Sequence, residues 1–119
     1  MLRATYPNLR GERTRTMTTL SLDIDGEVVD FAPEGVVILG RDDSADFRVP
    51  NVLVSRRHLE LRPGAANWLA RDLHTMNGTF VSGARIPAER GLPIEAGMVL
   101  MLGDPLTGSR VQVLGRRGA

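Results

Sequence analysis

Hydrophobic and polar residues alternate in short runs along most of the chain, as half-buried β-strands require. The clearest run places Leu20, Leu22 and Ile24 between polar residues, and the Asp25-Gly26 pair after it is typical of a tight hairpin. Similar runs cover residues 28–31, 36–39, 47–49, 59–62, 68–73, 79–81, 85–86, 92–94, 98–102 and 111–114. Gly, Pro or polar residues separate them, and no segment has the period of a helix. The pattern predicts an all-β sandwich or barrel of about ten to eleven short strands.

Two residues indicate how these strands pack. Pro93 lacks the N–H that a central strand donates to its neighbour, so we expect the run at 92–94 to be an edge strand. Trp68 begins a strand-like run, where a large apolar side chain is more typical of the core than of a ligand-stacking surface. Both positions fit a sheet with one buried face.

The length and composition limit the classes of protein to consider. The chain has 119 residues, enough for one domain and too few for two. It has no apolar run long enough to span a membrane, and its first residues lack the apolar stretch of a secretory signal. Cysteine is absent, which excludes disulfides and a Cys-based zinc site. We therefore expect a cytoplasmic protein without membrane insertion, cofactor or metal.

Charge is distributed unevenly along the chain. Residues 1–16 hold four Arg and one Glu, and residues 116–119 hold two Arg. Residues 17–115 hold nine Arg and thirteen acidic residues, a formal charge of −4. We predict a domain at 17–115 between a flexible N-terminal tail, 1–16, and a C-terminal tail, 116–119. A nucleic-acid-binding domain would normally carry a basic face, so we expect no nucleic-acid partner, and any anion site must be local.

Three polar or Gly-rich clusters lie between the predicted strands. They are Gly40-Arg41, Ser55-Arg56-Arg57-His58, and Asn77-Gly78-Thr79 preceded by His74-Thr75-Met76. Loops at one end of a sandwich are where a rigid scaffold displays binding groups. If these loops converge, an arginine fork, a serine hydroxyl and an asparagine amide surround one point. That combination suits a phosphate group.

The ordered set of clusters resembles the forkhead-associated (FHA) family. The family pattern has Gly-Arg, then Ser-x-x-His fourteen residues after that Arg, then Asn-Gly-Thr about twenty residues further on, and all three occur here in order. The match spans about Thr18 to Leu114. The resemblance implies an FHA-type β-sandwich that binds phosphothreonine peptides. Such a module mediates phosphorylation-dependent protein–protein interaction in Ser/Thr kinase signalling.

The resemblance also implies a role for each matching residue. The phosphopeptide-binding set is Arg41, Ser55, Arg56, Arg57, Thr75 and Asn77, and the structural set is Gly40, His58, Gly78 and Thr79. In the family, the residue matching Arg41 grips the phosphate and the one matching Ser55 hydrogen-bonds it. The residue matching Thr75 lines the pocket, and the one matching Asn77 holds the peptide backbone in register.

The turn after Arg41 is acidic, with Asp42, Asp43 and Asp46 in quick succession. Unscreened carboxylates near a phosphate weaken its binding. In FHA domains an acidic turn at this place is common and points away from the ligand, so we expect the phosphate site to remain functional.

Catalysis is the first alternative to a binding role. Ser55 and His58 are three residues apart, but the sequence between them has no nucleophile elbow and offers no oxyanion hole. We therefore expect no enzyme. A second alternative is an FHA-fold scaffold that binds partners without phosphate, against which the intact Arg41, Ser55 and Asn77 argue.

The threonines near the N-terminus leave a third alternative open. Candidate phosphorylation sites lie in a basic stretch that we expect to be flexible and to precede the first strand: Thr14, Thr16, Thr18 and Thr19. If a Ser/Thr kinase modified one of them, the domain could bind its own tail. The partner is then either another phosphothreonine protein or the chain itself.

The segment 102–108 and the arginine-only basic composition suggest a parent protein. The long loop there looks similar to that of FHA modules at the N-terminus of ABC-transporter ATP-binding proteins in actinobacteria, whose GC-rich genomes favour arginine. The resemblance implies a module that regulates a transporter and is tethered to the membrane through it.

Overall fold

The computed structural model describes residues 18–118, with side chains from 18 to 115. It contains eleven strands and no helix within this range, which confirms the predicted all-β class. The strands are β1 Thr18–Ile24, β2 Glu27–Phe31, β3 Val37–Gly40, β4 Phe47–Arg48, β5 Leu59–Pro63, β6 Trp68–Asp72, β7 Thr79–Val81, β8 Ala84–Arg85, β9 Leu92–Ile94, β10 Val99–Leu102 and β11 Ser109–Gly118. In this part of the chain no helix is long and apolar enough to cross a membrane.

The strands form two sheets that pack face to face. The six-stranded sheet has the order β2-β1-β11-β10-β7-β8, and the five-stranded sheet has the order β4-β3-β5-β6-β9. The paired strands are antiparallel except β3 and β4, which are parallel. Strand β9 is an edge strand, as predicted from Pro93.

The hydrophobic core lies between the two sheets and consists of side chains from alternate positions of the strands. From the six-stranded sheet these are Leu20, Leu22, Ile24, Leu100, Leu102, Val111 and Val113; from the other, Val37, Leu39, Leu59, Leu61, Trp68, Ala70 and Ile94. Full burial of one such Leu or Ile side chain contributes roughly 1.5–3 kcal/mol. Trp68 lies in this core, as predicted, and its indole Nε1 donates to the Thr18 carbonyl at 3.0 Å.

The β1–β11 ladder extends further than the hydrophobic pattern indicates. Thr18 and Thr19, expected before the first strand, lie half-buried within β1, and β11 continues to Gly118. Thr18 pairs with Gly118 because strand pairing uses backbone groups and does not require apolar side chains. Thr14, Thr16 and the expected tail 1–16 lie outside the described residues.

The strand registers bring four loops to one end of the sandwich, here called the loop end. These are the β3–β4 loop (41–46), the β4–β5 loop (49–58), the β6–β7 loop (73–78) and the β10–β11 loop (103–108). The pairs that precede or follow them are Leu39 with Leu59, Leu59 with Asp72, and Leu102 with Thr79. Thr18 and Gly118 pair at the opposite end, here called the terminal end.

Candidate functional site

Arg41 and Ser55 become neighbours because the β3–β4 and β4–β5 loops are joined through their backbones. The Arg41 N–H donates to the Ser55 carbonyl at 3.0 Å, and the Asp42 N–H donates to the Arg56 carbonyl at 3.1 Å. Gly40 makes this approach possible, since a Cβ atom there would overlap the Arg56 carbonyl. In the Gly-Arg pair, the glycine therefore lets the two loops approach each other, and the arginine supplies the charged side chain.

The Arg41 side chain is fixed at its base and open at its tip. Its Nε donates to the Val54 carbonyl at 2.9 Å, while its terminal nitrogens make no hydrogen bond to any described residue. The Ser55 hydroxyl likewise has no partner among residues 18–118. An oriented guanidinium beside a free hydroxyl is an arrangement that can bind an anion.

His58 connects Ser55 to the β6–β7 loop and is fully buried. The Ser55 N–H donates to His58 Nδ1 at 3.0 Å, so that nitrogen carries no proton. The proton is therefore on Nε2, which donates to the Gly78 carbonyl at 2.9 Å. One neutral imidazole thus sets the distance between two of the site loops.

Asp72, at the end of β6, organises the β6–β7 loop from beneath and is only 2% exposed. Its Oδ1 accepts from the hydroxyls of Thr75 and Thr79, each at 2.7 Å. Its Oδ2 accepts from the Thr75 N–H at 2.9 Å. The sequence motifs do not indicate a role for Asp72. The strand alternation does place it on the buried face of β6 with Trp68 and Ala70, and a buried carboxylate needs hydrogen-bond donors around it.

Thr75 lies inside this network, 6% exposed, with its hydroxyl proton donated to Asp72. The same oxygen accepts from the Gly78 N–H at 3.0 Å. Its hydroxyl therefore has no proton left for a phosphate oxygen, whereas the Ser55 hydroxyl has no partner among residues 18–118. These contacts of Thr75 stabilise the β6–β7 loop, whereas the resemblance implies that Thr75 lines the ligand pocket.

Asn77 is exposed at the tip of the β6–β7 loop and faces the β4–β5 loop. Its Nδ2 donates to the Leu53 carbonyl at 3.0 Å, while the Leu53 N–H donates to Asn51 Oδ1 at 2.9 Å. Asn51 in turn donates to the Ser109 hydroxyl at 3.1 Å. This chain of bonds holds Asn77 at the loop end with Arg41 and Ser55, and its amide oxygen has no partner among residues 18–118.

Arg85 on β8 supports the β6–β7 loop, a role that the sequence pattern does not indicate. Its Nη2 donates to the Thr75 carbonyl at 2.8 Å. Gly78 leaves the space for this side chain, since a Cβ there would lie 2.6 Å from Arg85 Nε, and the glycine also has a φ of +88°. The Asn-Gly pair thus combines a left-handed turn with room for a supporting arginine.

Each of the three acids after Arg41 has a different partner close to the turn. Asp42 accepts from the Ser44 N–H at 3.0 Å and from its hydroxyl, and these bonds lower the pKa of Asp42 below its usual value. Asp46 accepts from the Ile38 N–H at 2.7 Å, which closes the β3–β4 connection. Asp43 lies 3.3 Å from Arg48 and remains almost fully exposed. Asp42 and Asp43 therefore both lie exposed in the turn that follows Arg41.

The structure therefore places five of the six predicted binding residues on the loop end. Arg41, Ser55 and Asn77 lie in loops that are joined by the hydrogen bonds above. Arg56 and Arg57 are exposed next to each other in the β4–β5 loop, and neither side chain makes a hydrogen bond to a described residue. The chain is therefore a β-sandwich with a polar corner, made of Arg41 and Ser55, at its loop end.

Comparison with known proteins identifies the family of this sandwich. The FHA domain model matches residues 37–103, more than half of the chain, and the chain belongs to the FHA family. It is similar to the crystal structure of Mycobacterium tuberculosis Rv1747 FHA-1, with a TM-score of 0.71, 32% identity, and coverage of 83% of this chain and 98% of that one. A structure from an analysis of phosphothreonine-dependent FHA domain interactions gives a TM-score of 0.68 and 35% identity, covering 81% of this chain and 95% of that one.

A longer protein is also similar to the chain. The ABC transporter ATP-binding/permease protein Rv1747 of Mycobacterium tuberculosis is 41% identical over 63 residues, which is 53% of this chain. The chain spans only 7% of the length of that protein. The similarity is therefore to a module of the transporter protein.

Gly40→Ala tests the steric basis of the site. The new methyl group must push the Arg56 carbonyl away, so we expect a loss of about 1–3 kcal/mol in the free energy of unfolding, measured by chemical denaturation. Gly35→Ala is the matched control, because a Cβ at Gly35 meets nothing within 4 Å. Equal stability of the two variants would contradict the close approach of the two loops.

The buried imidazole predicts a pH dependence of stability. Burial lowers the pKa of His58, against the raising effects of the Gly78 carbonyl and Asp72, and Arg85 lowers it further. Because the pKa of His58 is lower in the folded chain, the unfolded chain binds a proton at this imidazole more readily. The contribution of neutral His58 to the free energy of unfolding is therefore complete above about pH 6.5, and it is lost as the pH falls through the pKa of His58 in the folded chain.

We expect NMR of the imidazole nitrogens to show His58 as the neutral Nε2–H form at pH 6, while denaturation midpoints decrease below that pH. A pKa of His58 above its ordinary value would contradict this assignment.

Arg85→Ala tests the support of the β6–β7 loop. Loss of the bond to the Thr75 carbonyl should loosen the loop and increase hydrogen exchange of the Thr75 and Gly78 amides by about fivefold or more. Arg90→Ala removes an equally exposed arginine that lines a separate groove with Arg62 and Arg71, and should leave these amides unchanged. Identical exchange in both variants would rule out a supporting role for Arg85.

Proposed function

We propose that this chain is a phosphothreonine-binding module that mediates phosphorylation-dependent protein–protein interaction in Ser/Thr kinase signalling. The observation that carries the proposal is the corner of Arg41 and Ser55, whose terminal nitrogens and hydroxyl have no partner within residues 18–118. Each charge-assisted hydrogen bond to phosphate contributes roughly 1.5–3 kcal/mol. The similar structure that comes from an analysis of phosphothreonine-dependent FHA domain interactions supports the same class of ligand.

Threonine selectivity requires more than burial of one methyl group. A fully buried methyl contributes roughly 0.8 kcal/mol, which is about a fourfold preference over phosphoserine. A stronger preference must come from the fixed geometry of the loops, which the bonds of Asn77 and His58 restrict. Asn77 has its amide oxygen available for an N–H of the peptide backbone.

The contacts of His58 support binding rather than catalysis. Its Nδ1 accepts from the Ser55 N–H and its Nε2 donates to the Gly78 carbonyl. Both ring nitrogens are therefore used, and neither contacts the Ser55 hydroxyl. A general base must reach the proton that it removes, so this pair does not form a nucleophile–base couple.

We propose further that the module acts in the cytoplasm and is attached to a larger protein. Similarity to part of the Rv1747 transporter protein supports a role in transporter regulation, in which a Ser/Thr kinase creates the ligand and the parent protein provides the membrane tether. A phosphate-independent scaffold is the competing function. The exposed tip of Arg41, which has no partner among residues 18–118, argues against it, since an apolar interface would leave this charge unpaired.

A peptide titration tests the proposed function. Calorimetry should detect binding of a phosphothreonine peptide, weaker binding of its phosphoserine form and no binding of the unmodified form. Arg41→Ala should lower affinity by about tenfold or more, because it removes a charge-assisted contact, whereas Arg90→Ala should not. Binding that is indifferent to the phosphate would support the scaffold instead.

A further inference from the structure

A second cluster of charged side chains lies on the outer face of the five-stranded sheet, on its strands and not in the loops of the loop end. It surrounds a groove of about 370 Å³ between β5, β6 and the β8–β9 loop (86–91). Leu59 and Leu61 of β5 point into the core, so Glu60 and Arg62 point outward. The groove, here called the basic groove, has in its lining Glu60, Arg62, Leu69, Arg71, Glu89 and Arg90. Its volume lies at the lower end of the range of ligand pockets, about 300–1,000 Å³, which is room for a few side chains of a partner.

Glu60 holds two arginines side by side at the base of the groove. Its side chain is only 10% exposed. Its Oε1 accepts from Arg62 Nε at 3.1 Å and from Arg71 Nε at 3.3 Å, while its Oε2 accepts from the Nη2 atoms of the same two residues. Burial raises the pKa of Glu60, but these bonds outweigh it and hold the pKa below its usual value. The carboxylate therefore stays charged and orients both guanidinium groups before any ligand arrives.

One carboxylate does not neutralise two arginines. Arg62 and Arg71 use Nε and Nη2 for Glu60, whereas their Nη1 groups make no hydrogen bond to a described residue. Arg90, at the exposed rim, makes no hydrogen bond or ion pair within the part of the chain whose side chains are described. Glu89 lies at the same rim and opposes an anion. The three arginines and two glutamates carry a formal +1, whereas the other six arginines and eleven acids of residues 17–115 carry −5.

Leu69 gives the groove an apolar floor. It is half-buried on the outer face of β6, where it pairs with Arg62 of β5. Gly91 lies directly against it, since a Cβ at Gly91 would be 3.0 Å from the Leu69 Cβ. This contact holds the β8–β9 loop, and with it Arg90, beside the floor. Cationic donors around an apolar floor suit carboxylates that flank an apolar side chain.

The charge outside the groove limits the class of partner. Nucleic acid and anionic membrane surfaces are extended polyanions, which a surrounding surface of −5 repels. A short acidic segment needs only the groove. We infer that the basic groove docks a short segment of a partner protein, in which Asp or Glu residues contact Arg62, Arg71 and Arg90 and an apolar side chain packs on Leu69. This contact needs no phosphate, so it goes beyond the proposed function.

An NMR titration of the whole chain tests this docking surface. The probe is the capped peptide Glu-Asp-Leu-Glu-Asp, and its control has Gln and Asn at the acidic positions. At low salt we expect the acidic probe to shift the Nε–H signals of Arg62 and Arg71 and the Leu69 methyl signals, and to leave the Ser55 and Gly78 amides unchanged. The uncharged peptide should shift none of these signals. Equal shifts with both peptides would overturn the inference.

The exposed rim offers variants that remove no contact to a described residue. Arg90→Gln should weaken binding of the acidic probe by about two- to fivefold, and Glu89→Gln should strengthen it by a similar factor. Arg110→Gln is the matched control, because it removes an exposed arginine from the outer face of the other sheet. Equal losses in the Arg90 and Arg110 variants would show attraction to net charge alone and contradict docking in the groove.

Arg71→Gln separates the basic groove from the Arg41–Ser55 corner. It removes a charge-assisted contact, so we expect it to weaken binding of the acidic probe by about tenfold or more. Affinity for a phosphothreonine peptide without acidic residues should stay the same, which also shows that the variant is folded. An oligonucleotide or a phosphatidylserine vesicle that shifts the groove signals, where the acidic probe does not, would assign the groove to another class of partner and overturn the inference.

Discussion

The hydrogen bond from His58 Nε2 to the Gly78 carbonyl, at 2.9 Å, is the contact on which the arrangement of the loop end depends. The same imidazole receives the Ser55 N–H, so one buried side chain sets both the β4–β5 loop and the β6–β7 loop. The Gly78 carbonyl also accepts the Gly103 N–H at 2.8 Å, which adds the β10–β11 loop to the assembly. The β4–β5, β6–β7 and β10–β11 loops are therefore joined at one carbonyl oxygen, and this junction fixes the position of Ser55 relative to the β6–β7 loop.

The buried Asp72 makes this arrangement rigid at an energetic cost. A carboxylate removed from water is tolerated only when donors surround it, and here Thr75 and Thr79 supply three hydrogen bonds. His58 Nε2 lies 3.6 Å from the same carboxylate. Loops that are ordered before the ligand arrives lose little conformational entropy on binding. The polar network around Asp72 thus orders the β6–β7 loop before any ligand binds.

Local patterns predict most of the fold, whereas the supporting contacts of the site depend on distant residues. Strand alternation and turn residues are local, so the strands, the edge position of Pro93 and the burial of Trp68 follow from the sequence. The roles of Asp72 and Arg85 depend on which loops meet, and a single sequence does not show that. The strand character of Thr18 and Thr19 is likewise hidden, because polar side chains conceal a backbone ladder that continues to Gly118.

The position of the first and last strands determines how flanking segments can use the site. Because β1 and β11 are neighbours, Thr18 and Gly118 leave the sandwich side by side at the terminal end. Any segment attached there must span about 20 Å of strand before it meets the loop end. A fully extended segment needs about six residues to cover that distance, since each residue spans at most about 3.3–3.6 Å. A flexible linker has an average span of about 5–6 Å times the square root of its number of residues, so its average span reaches 20 Å at roughly 15 residues. A flank of fewer than about six residues therefore cannot occupy the loop end of the molecule to which it is joined.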